Sequence, residues 1–227
     1  MLLIGLAVLP VVVLLIFIYV KDRYQKEPLK LLLAALGMGM LSVIPVIFIE
    51  GVLKSLNPLT GAGGAVYDAF IMAACTEEAF KLLFLYWLIW RNKHFDEYFD
   101  GIVYAVFVSL GFALVENVLY VVGSGLQSEA MGMVVGVQRA VLSVPGHFLF
   151  AVVMGYFFAL AKFHGDRKRN MWLAFLVPMI LHGIYDAILM VADVSELSEG
   201  ILWVAIIAFD IFLWVFAMRR LKALSGK

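Results

Sequence analysis

Residues 100–122 read DGIVYAVFVSLGFALVENVLYVV, and only Asp100 and Glu116 in this stretch carry a charge. The hydrocarbon core of a bilayer is about 30 Å thick, and a helix needs roughly 20 apolar residues to cross it. The stretch is long enough for one such helix, and it lacks the two-residue alternation that is typical of outer-membrane barrel strands. It therefore predicts a transmembrane α-helix.

Six further stretches have a similar length and apolar character, and short polar connectors separate them. The predicted spans are residues 2–20, 29–53, 69–90, 100–122, 138–161, 171–191 and 201–218. Hydrophobic residues make up 64% of the chain, whereas an ordinary soluble domain has about 45–50%. We therefore expect a single integral membrane domain over residues 1–227: an all-α, polytopic transmembrane helical bundle of about seven spans. Its environment would be the lipid bilayer, as a multi-pass protein of the cell membrane.

The overall charge excludes some classes of function. The chain has 17 Lys and Arg residues against 17 Asp and Glu residues, so its formal net charge is zero. Nucleic acid binding depends on a basic surface, and we expect no nucleic acid partner. The single cysteine, Cys75, excludes an internal disulfide and a multi-cysteine metal site. Nothing in the composition predicts an oligomeric state.

The positions of the basic residues predict the orientation of the bundle. All except three of the 17 Lys and Arg residues fall in alternate connectors or after the last span, on one side of the predicted bundle. These segments are residues 21–30, 91–99, 162–170 and 219–227. Because cytoplasmic segments carry the excess of Lys and Arg, we expect an extracytoplasmic N-terminus and a cytoplasmic C-terminus.

Four consecutive predicted spans, the third to the sixth, contain acidic, basic or imidazole side chains that could form one site. Each such group costs at least about 2.5–3.5 kcal/mol at the bilayer centre, which makes it a functional candidate. The residues are Glu77, Glu78 and Lys81 in the third span, Glu116 in the fourth, His147 in the fifth, and His182 and Asp186 in the sixth. The acids and histidines lie about five to nine residues below the extracytoplasmic ends, at most ~13 Å at 1.5 Å per residue. Their shared depth predicts one site.

Helical spacing suggests roles within this site. Lys81 follows Glu77 by four residues and Glu78 by three, so it can pair with either carboxylate. A Glu that precedes a Lys by four residues is the better arrangement, which would leave Glu78 free for chemistry. His182 and Asp186 are also four residues apart, so Asp186 could orient the imidazole or stabilise its charge.

The charge balance leaves metal binding open. Four acids face one lysine in the predicted slab, and Arg139 could offset one further charge. Protonation, a charged histidine or a divalent cation must offset the rest. His147, His182 and one carboxylate such as Glu116 would form the two-histidine, one-acid set of hydrolytic zinc sites, with a second glutamate as general base. The alternative is a metal-free site in which Glu78 and a histidine activate water directly.

Several short motifs occur in order between about residues 70 and 190. They are Glu77-Glu78-x-x-Lys81, Asp100-Gly101-Ile102-Val103-Tyr104, Gly111-Phe112-x-x-x-Glu116-Asn117, Pro145-x-His147 and His182-Gly183-x-Tyr185-Asp186. Together with the seven-span layout, they resemble the PrsW family of intramembrane proteases. That family is distantly similar to the CAAX prenyl protease and bacteriocin-processing group, which shares a glutamate pair and two later histidines.

The resemblance implies a function and a set of site residues. It implies a peptidase that makes the first, extracytoplasmic-side cut in a single-span, membrane-anchored anti-sigma factor, which opens a proteolytic cascade. By motif position, it implies Glu77, Glu78 and His182 as catalytic residues, with Glu116 and His147 completing the site. In the CAAX relatives the first glutamate of the pair is favoured as the base, whereas the spacing here favours the second. Both glutamates therefore remain candidates.

A second hypothesis belongs to a different class of function. Buried Glu and His side chains also carry protons, so an ion- or proton-coupled transporter could use the same cluster. Such a transporter predicts an inverted repeat and broken helices at the membrane midplane. The sequence shows no internal repeat, and the polar cluster lies above the midplane.

Two further features are typical of structural roles. Asp100 opens the fourth span, where Asp commonly caps a helix. Small residues allow helices to approach closely in a membrane. Close helix approach is predicted at Gly37, Gly39, Gly132 and Gly136.

Overall fold

The structure is a computed structural model that describes residues 2–22, 25–192, 194 and 199–224. Arg23 and Lys227, which contribute to the charge count of the connectors, lie outside these residues. The helices are α1 (Leu2–Lys21), α2 (Leu29–Leu56), α3 (Gly61–Tyr67), α4 (Cys75–Ile89), α5 (Tyr98–Gln127), α6 (Glu129–Gln138), α7 (Val144–Phe163), α8 (Arg167–Ala192) and α9 (Glu199–Leu224). No strand occurs in the described ranges, which confirms the all-α prediction.

Two π-helical segments join shorter helices into longer ones. Asp68–Ala74 connects α3 to α4, and Arg139–Ser143 connects α6 to α7. Pro145 lies in the first turn of α7 and lacks the amide hydrogen of a regular helix, which accounts for the second irregularity. The interval between the fourth and fifth predicted spans, residues 123–137, is almost entirely helical, so α5 and α6 extend beyond the predicted spans and meet at Ser128.

Among the residues that the structure describes, five helical segments are long and apolar enough to cross a membrane. They are Leu2–Lys21, Leu29–Leu56, Tyr98–Gln127, Glu129–Phe163 and Arg167–Ala192. The predicted spans at 69–90 and 201–218 correspond to further helices that are not among these five. The chain is therefore a multi-pass helical protein, while the count of seven crossings and the orientation of the termini stay predictions.

Helix α5 lies at the centre of the bundle. Every residue from Phe99 to Ala113 is buried, and the helix packs against α1, α2, α6 and α7. The backbones approach closely at glycines: a Cβ atom added at Gly39 would lie 1.9 Å from the Val108 carbonyl oxygen, and one added at Gly155 would lie 2.4 Å from the Gly101 oxygen. Such contacts let van der Waals packing hold the helices together without a hydrophobic driving force between them.

Polar contacts identify the two ends of the bundle. At one end Lys162 Nζ donates to the Trp90 carbonyl (2.6 Å), and Tyr98 Oη donates to the Phe163 carbonyl (3.1 Å). At the other end Lys54 pairs with Asp68. The connector after α1 lies at the same end as Lys162 and Tyr98, because Gln25 Nε2 donates to Asp96 Oδ2 there at 3.4 Å. The basic connectors therefore gather at one end, as alternating crossings require.

The glycine predictions hold for three of four positions. A Cβ atom at Gly132 would lie 2.7 Å from the Gly125 Cα, and one at Gly136 would lie 3.2 Å from the Leu6 Cβ. Gly37 was predicted to allow close approach, but nothing lies within 4 Å of the Cβ position. The prediction for Gly37 was wrong because open space lies at its Cβ position.

Gly39→Ala tests the close packing of α2 on α5, and Gly37→Ala is its matched control in the same helix. We expect Gly39→Ala to destabilise the protein by about 1–3 kcal/mol, since the added methyl group forces the two backbones apart. Gly37→Ala should leave the stability unchanged or raise it slightly, because Ala favours helix more than Gly does. Thermal unfolding of both variants in detergent measures the difference. Equal stabilities would contradict the packing described here.

Candidate active site

The ionisable residues predicted to share one depth lie together in the structure, although they come from four helices. Helix α4 carries Glu77, Glu78 and Lys81, α5 carries Glu116, α7 carries His147, and α8 carries His182 and Asp186. Each of them forms a hydrogen bond or ion pair with another member of the group. The site therefore depends on the packing of α4, α5, α7 and α8.

Lys81 is the central cation of the cluster. Its Nζ atom lies 2.9 Å from Glu77 Oε2, 2.8 Å from Glu78 Oε1 and 3.2 Å from His147 Nδ1. The side chain is fully buried, and the ammonium also lies over the Phe112 ring. The expectation that Lys81 pairs with Glu77 and leaves Glu78 free was wrong. A buried ammonium has three N–H groups and needs three acceptors, so it takes both carboxylates.

His182 lies between two carboxylates. Its Nδ1 atom is 2.9 Å from Glu78 Oε1, and its Nε2 atom is 3.2 Å from Asp186 Oδ2. Phe150 stacks on the imidazole at 4.8 Å between ring centroids. Asp186 thus contacts the ring as the four-residue spacing indicates. Both bonds form together only when both ring nitrogens carry hydrogen, so this arrangement suits an imidazolium.

Glu116 binds the second cation of the site. Arg139 Nη2 and His147 Nε2 each lie 2.9 Å from Glu116 Oε2. Arg139 Nε also donates to Asn117 Oδ1 at 2.7 Å, and Asn117 donates to the Ala7 carbonyl of α1. Arg139 therefore reaches inward and offsets one of the acids. Asn117 fixes its guanidinium and ties the site to α1.

A small polar cavity of about 40 Å³ adjoins these groups. It is lined by Glu77, Glu116, Arg139, Ser143, His147, Phe150, His182, Tyr185 and Asp186. A water molecule occupies about 30 Å³ of liquid volume, so this space admits water but not a peptide. Glu77 lines the cavity and Glu78 does not. Of the two adjacent glutamates, the first is the one that meets the cavity.

Three side chains could hold one metal ion. Glu77, His147 and His182 each offer a ligand atom, and the three atoms lie within 4.8 Å of one another. Two imidazoles and one carboxylate are the donor set of many hydrolytic zinc sites, so the residues present fit the metal when His182 is a neutral imidazole rather than an imidazolium. The predicted set contained Glu116 in place of Glu77. Glu116 instead binds Arg139 and His147. It would therefore orient the imidazole of His147 without contacting the metal itself.

Glu50 and Ser143 belong to the neighbourhood of the site but were missed in the sequence, whereas Tyr185 was named there only as part of a motif. The Glu50 carboxylate in α2 interacts electrostatically with Glu77 and Glu116, and Ser143 and Tyr185 line the cavity. Glu50 lies close to the end of its predicted span, where an acid is typical of an interface residue. Its position near the end of the span therefore did not indicate a functional residue. A charged residue inside residues 29–53 is nevertheless a functional candidate.

The two π-helical segments lie next to the site. Asp68–Ala74 directly precedes α4 with Glu77 and Glu78, and Arg139–Ser143 directly precedes α7 with His147. The second segment supplies two cavity-lining residues, Arg139 and Ser143. Single π-helical turns occur frequently at functional sites, because they redirect side chains within a continuous helix. Here they set the angle at which two helices enter the cluster.

Known proteins of similar sequence identify the family of this chain. A family model described as "PrsW family intramembrane metalloprotease" matches residues 27–216. The chain belongs to the PrsW family of intramembrane proteases. Two relatives named Protease PrsW, from Bacillus subtilis and Geobacillus kaustophilus, are each 37% identical to it. They align over 96% and 99% of this chain and over 94% and 92% of their own lengths.

A third relative, Protease PrsW of Clostridioides difficile, is 36% identical over 96% of this chain and 89% of its own length. No solved structure matches the chain. Membership of the PrsW family shows that this multi-pass membrane protein is a protease. It also sets aside the transporter hypothesis, which rested on the same buried groups.

Lys81→Met tests the central cation, and Lys54→Met is its control at an exposed ion pair. Removing Lys81 leaves two buried carboxylates without their ammonium, and we expect a loss of about 3–5 kcal/mol. The Lys54 side chain is 62% exposed in its pair with Asp68, and an exposed pair contributes about 0–1 kcal/mol. Unfolding in detergent, followed by circular dichroism, measures both. A Lys81→Met loss no larger than that of Lys54→Met would contradict the buried network.

Proposed function

We propose that this protease cuts a single-span membrane protein close to the extracytoplasmic face, and that its substrate is an anti-sigma factor. The main support is the meeting of Glu77, His147 and His182 at a polar cavity inside a bundle of apolar helices. Such a site places water and acid–base groups inside the membrane, at the depth where a substrate helix approaches its extracytoplasmic end. The anti-sigma factor follows from the family resemblance, and the cut would be the first of a cascade.

The position of the site along the bundle supports the side of cleavage. The basic connectors gather at the end of the bundle that the positive-inside rule assigns to the cytoplasm. Glu116 and Asp186 lie nearer the opposite ends of their helices, in Tyr98–Gln127 and Arg167–Ala192. Their side chains are each 18% exposed, so the cluster is not sealed from its surroundings. We infer that water enters from the extracytoplasmic side.

We assign the role of general base to Glu77. Its carboxylate lines the cavity, and Lys81 holds it through Oε2. The carboxylate can then accept a proton from a cavity water as that water attacks the peptide carbonyl. Glu78 is enclosed by Lys81 and His182, so we assign it the role of a positioning residue that orients the imidazole.

Cations around the cavity complete the proposed chemistry. His182 is held by Glu78 and Asp186 in the arrangement of an imidazolium, and it can donate a proton to the departing amine. Arg139, fixed by Glu116 and Asn117, lies where it can stabilise the negative charge that develops on the carbonyl oxygen. In a metal-dependent alternative, Glu77, His147 and His182 would instead be the ligands, with zinc as the candidate; His182 would then be neutral, and Glu77 would not act as the base. Bound zinc polarises a carbonyl and lowers the pKa of its water.

The substrate must enter through a rearrangement of the helices. The cavity has a volume of about 40 Å³, which is smaller than any peptide segment. We therefore propose that helices carrying the site separate to admit an unwound stretch of the substrate. The closed arrangement would protect the site from unselective hydrolysis.

Substitution of the proposed base and acid tests the assignment. We expect Glu77→Gln and His182→Ala to lower the rate of cleavage of a single-span anti-sigma factor in liposomes by at least about 100-fold, because each removes a proton-transfer group. Glu129→Gln, an exposed acid at the same end of the bundle, should cleave as the unaltered enzyme does. Gel analysis measures the rates, and mass spectrometry locates the cut. If Glu77→Gln keeps full activity while folded, the catalytic assignment fails.

Metal removal tests the ligand set separately. The metal-dependent alternative predicts about one zinc per chain in protein purified without chelators, since three ligands and a water complete a tetrahedral site. In that case chelation should abolish cleavage, and added zinc should restore it. His147→Ala should lose the metal measured by elemental analysis, whereas His164→Ala, in an exposed connector, should retain it. Full activity in protein shown to be free of metal would contradict the ligand set and leave Glu77 acting on water directly.

A further inference from the structure

A second group of carboxylates lies at the other end of the bundle. Glu27, Asp96 and Asp100 each place one oxygen atom within 4.8 Å of the other two. Glu27 lies in the connector between α1 and α2, Asp96 in the connector between α4 and α5, and Asp100 in the first turn of α5. Glu27 is 4% exposed and Asp100 is 0% exposed, whereas Asp96 faces the surface. The group has no part in the hydrolytic site.

Helix capping explains the hydrogen bonds of only one of the two Asp100 carboxylate oxygens. Glu97 is the N-cap residue of α5, and Asp100 lies three residues later in a capping box, rather than at the N-cap itself. Its Oδ2 atom accepts hydrogen bonds from the backbone amides of Asp96 (3.1 Å) and Glu97 (2.7 Å). Its Oδ1 atom is buried and accepts no hydrogen bond from an N–H group, and the polar group beside the carboxylate is the carboxyl group of Glu27. A buried carboxylate oxygen without a partner is costly, so this atom points to a missing donor or cation.

Lys26 lies next to Glu27 in the chain, but its ammonium donates to the Tyr19 carbonyl rather than to one of these acids. Tyr104 Oη donates to Glu27 Oε2, and the Glu27 amide donates to Asp22 Oδ2 at 3.3 Å. Asp22 is itself 2% exposed, and burial raises the pKa of its carboxyl because desolvation disfavours the charged form. Within the described ranges, none of the ion pairs involves these acids. A proton or a cation must therefore offset the buried charge.

We propose that Glu27, Asp96 and Asp100 bind a hard divalent cation of the Mg²⁺ or Ca²⁺ type. The donors are all oxygen atoms, which such ions prefer, and they contrast with the two imidazoles of the hydrolytic site. The three residues come from two connectors and the start of the central helix, so the ion joins the α1–α2 connector to the N-terminus of α5. It stabilises the end of the bundle opposite the site of hydrolysis, and this role does not depend on the proposed cleavage reaction.

Calorimetric titration of the full chain in detergent with CaCl₂ and with MgCl₂ tests the site. We expect at least one of the two ions to bind at about one per chain and to raise the unfolding temperature in a concentration-dependent manner. Glu27→Gln and Asp96→Asn should each weaken this binding at least about tenfold, because each removes a charged ligand. Asp96 is exposed, so its variant should fold even where Glu27→Gln does not. Asp166→Asn, an exposed acid in the connector before α8, is the matched control and should bind as the parent does.

Two results would overturn the proposal. The first is that neither ion binds or stabilises the parent protein. The second is equal binding by the parent, Asp96→Asn and Asp166→Asn. If the first result holds and Glu27→Gln is more stable than the parent, Glu27 and Asp100 share a proton instead. Calcium binding reports on this site rather than on the hydrolytic site, because calcium rarely takes imidazole ligands.

Discussion

The ammonium group of Lys81 is the interaction on which the site depends. It binds Glu77, Glu78 and His147, and so it joins the two carboxylates of α4 to the imidazole of α7. Glu78 then binds His182 of α8, and His147 binds Glu116 of α5. A fully buried lysine among apolar helices is stable only with such partners, and the partners in turn need its charge. One cation thus holds acid–base groups of four helices at a common depth.

The packing of the bundle brings these groups within reach of one another. Glycines let α2 and α7 lie against the central helix α5, and two π-helical segments direct α4 and α7 into the cluster. The result is a site with a small water-sized cavity rather than an open cleft. For a protease inside a membrane this arrangement is reasonable, because access to water and to substrate can both be controlled by helix movement.

Much of this could be predicted from sequence periodicity and charge. Hydropathy gave the long helices, and the depth of Glu77, His147 and His182 below the span ends indicated that they would meet. The spacing of His182 and Asp186 indicated their contact. What depends on helix rotation could not be predicted: that Glu77 rather than Glu78 meets the cavity, and that Glu77 rather than Glu116 lies with both histidines. The π-helical segments and the role of Glu50 also depend on tertiary packing, for which a single sequence carries little signal.

A thermodynamic cycle tests the central claim most directly. It compares the unfolding free energies of the parent, Lys81→Met, the double variant Glu77→Gln/Glu78→Gln, and the triple variant that combines them. If Lys81 and the two carboxylates form one buried network, the triple variant should be more stable than the sum of the separate losses predicts, by at least about 1 kcal/mol. Losses that add to within about 0.5 kcal/mol would show that these groups do not interact, and would contradict the account.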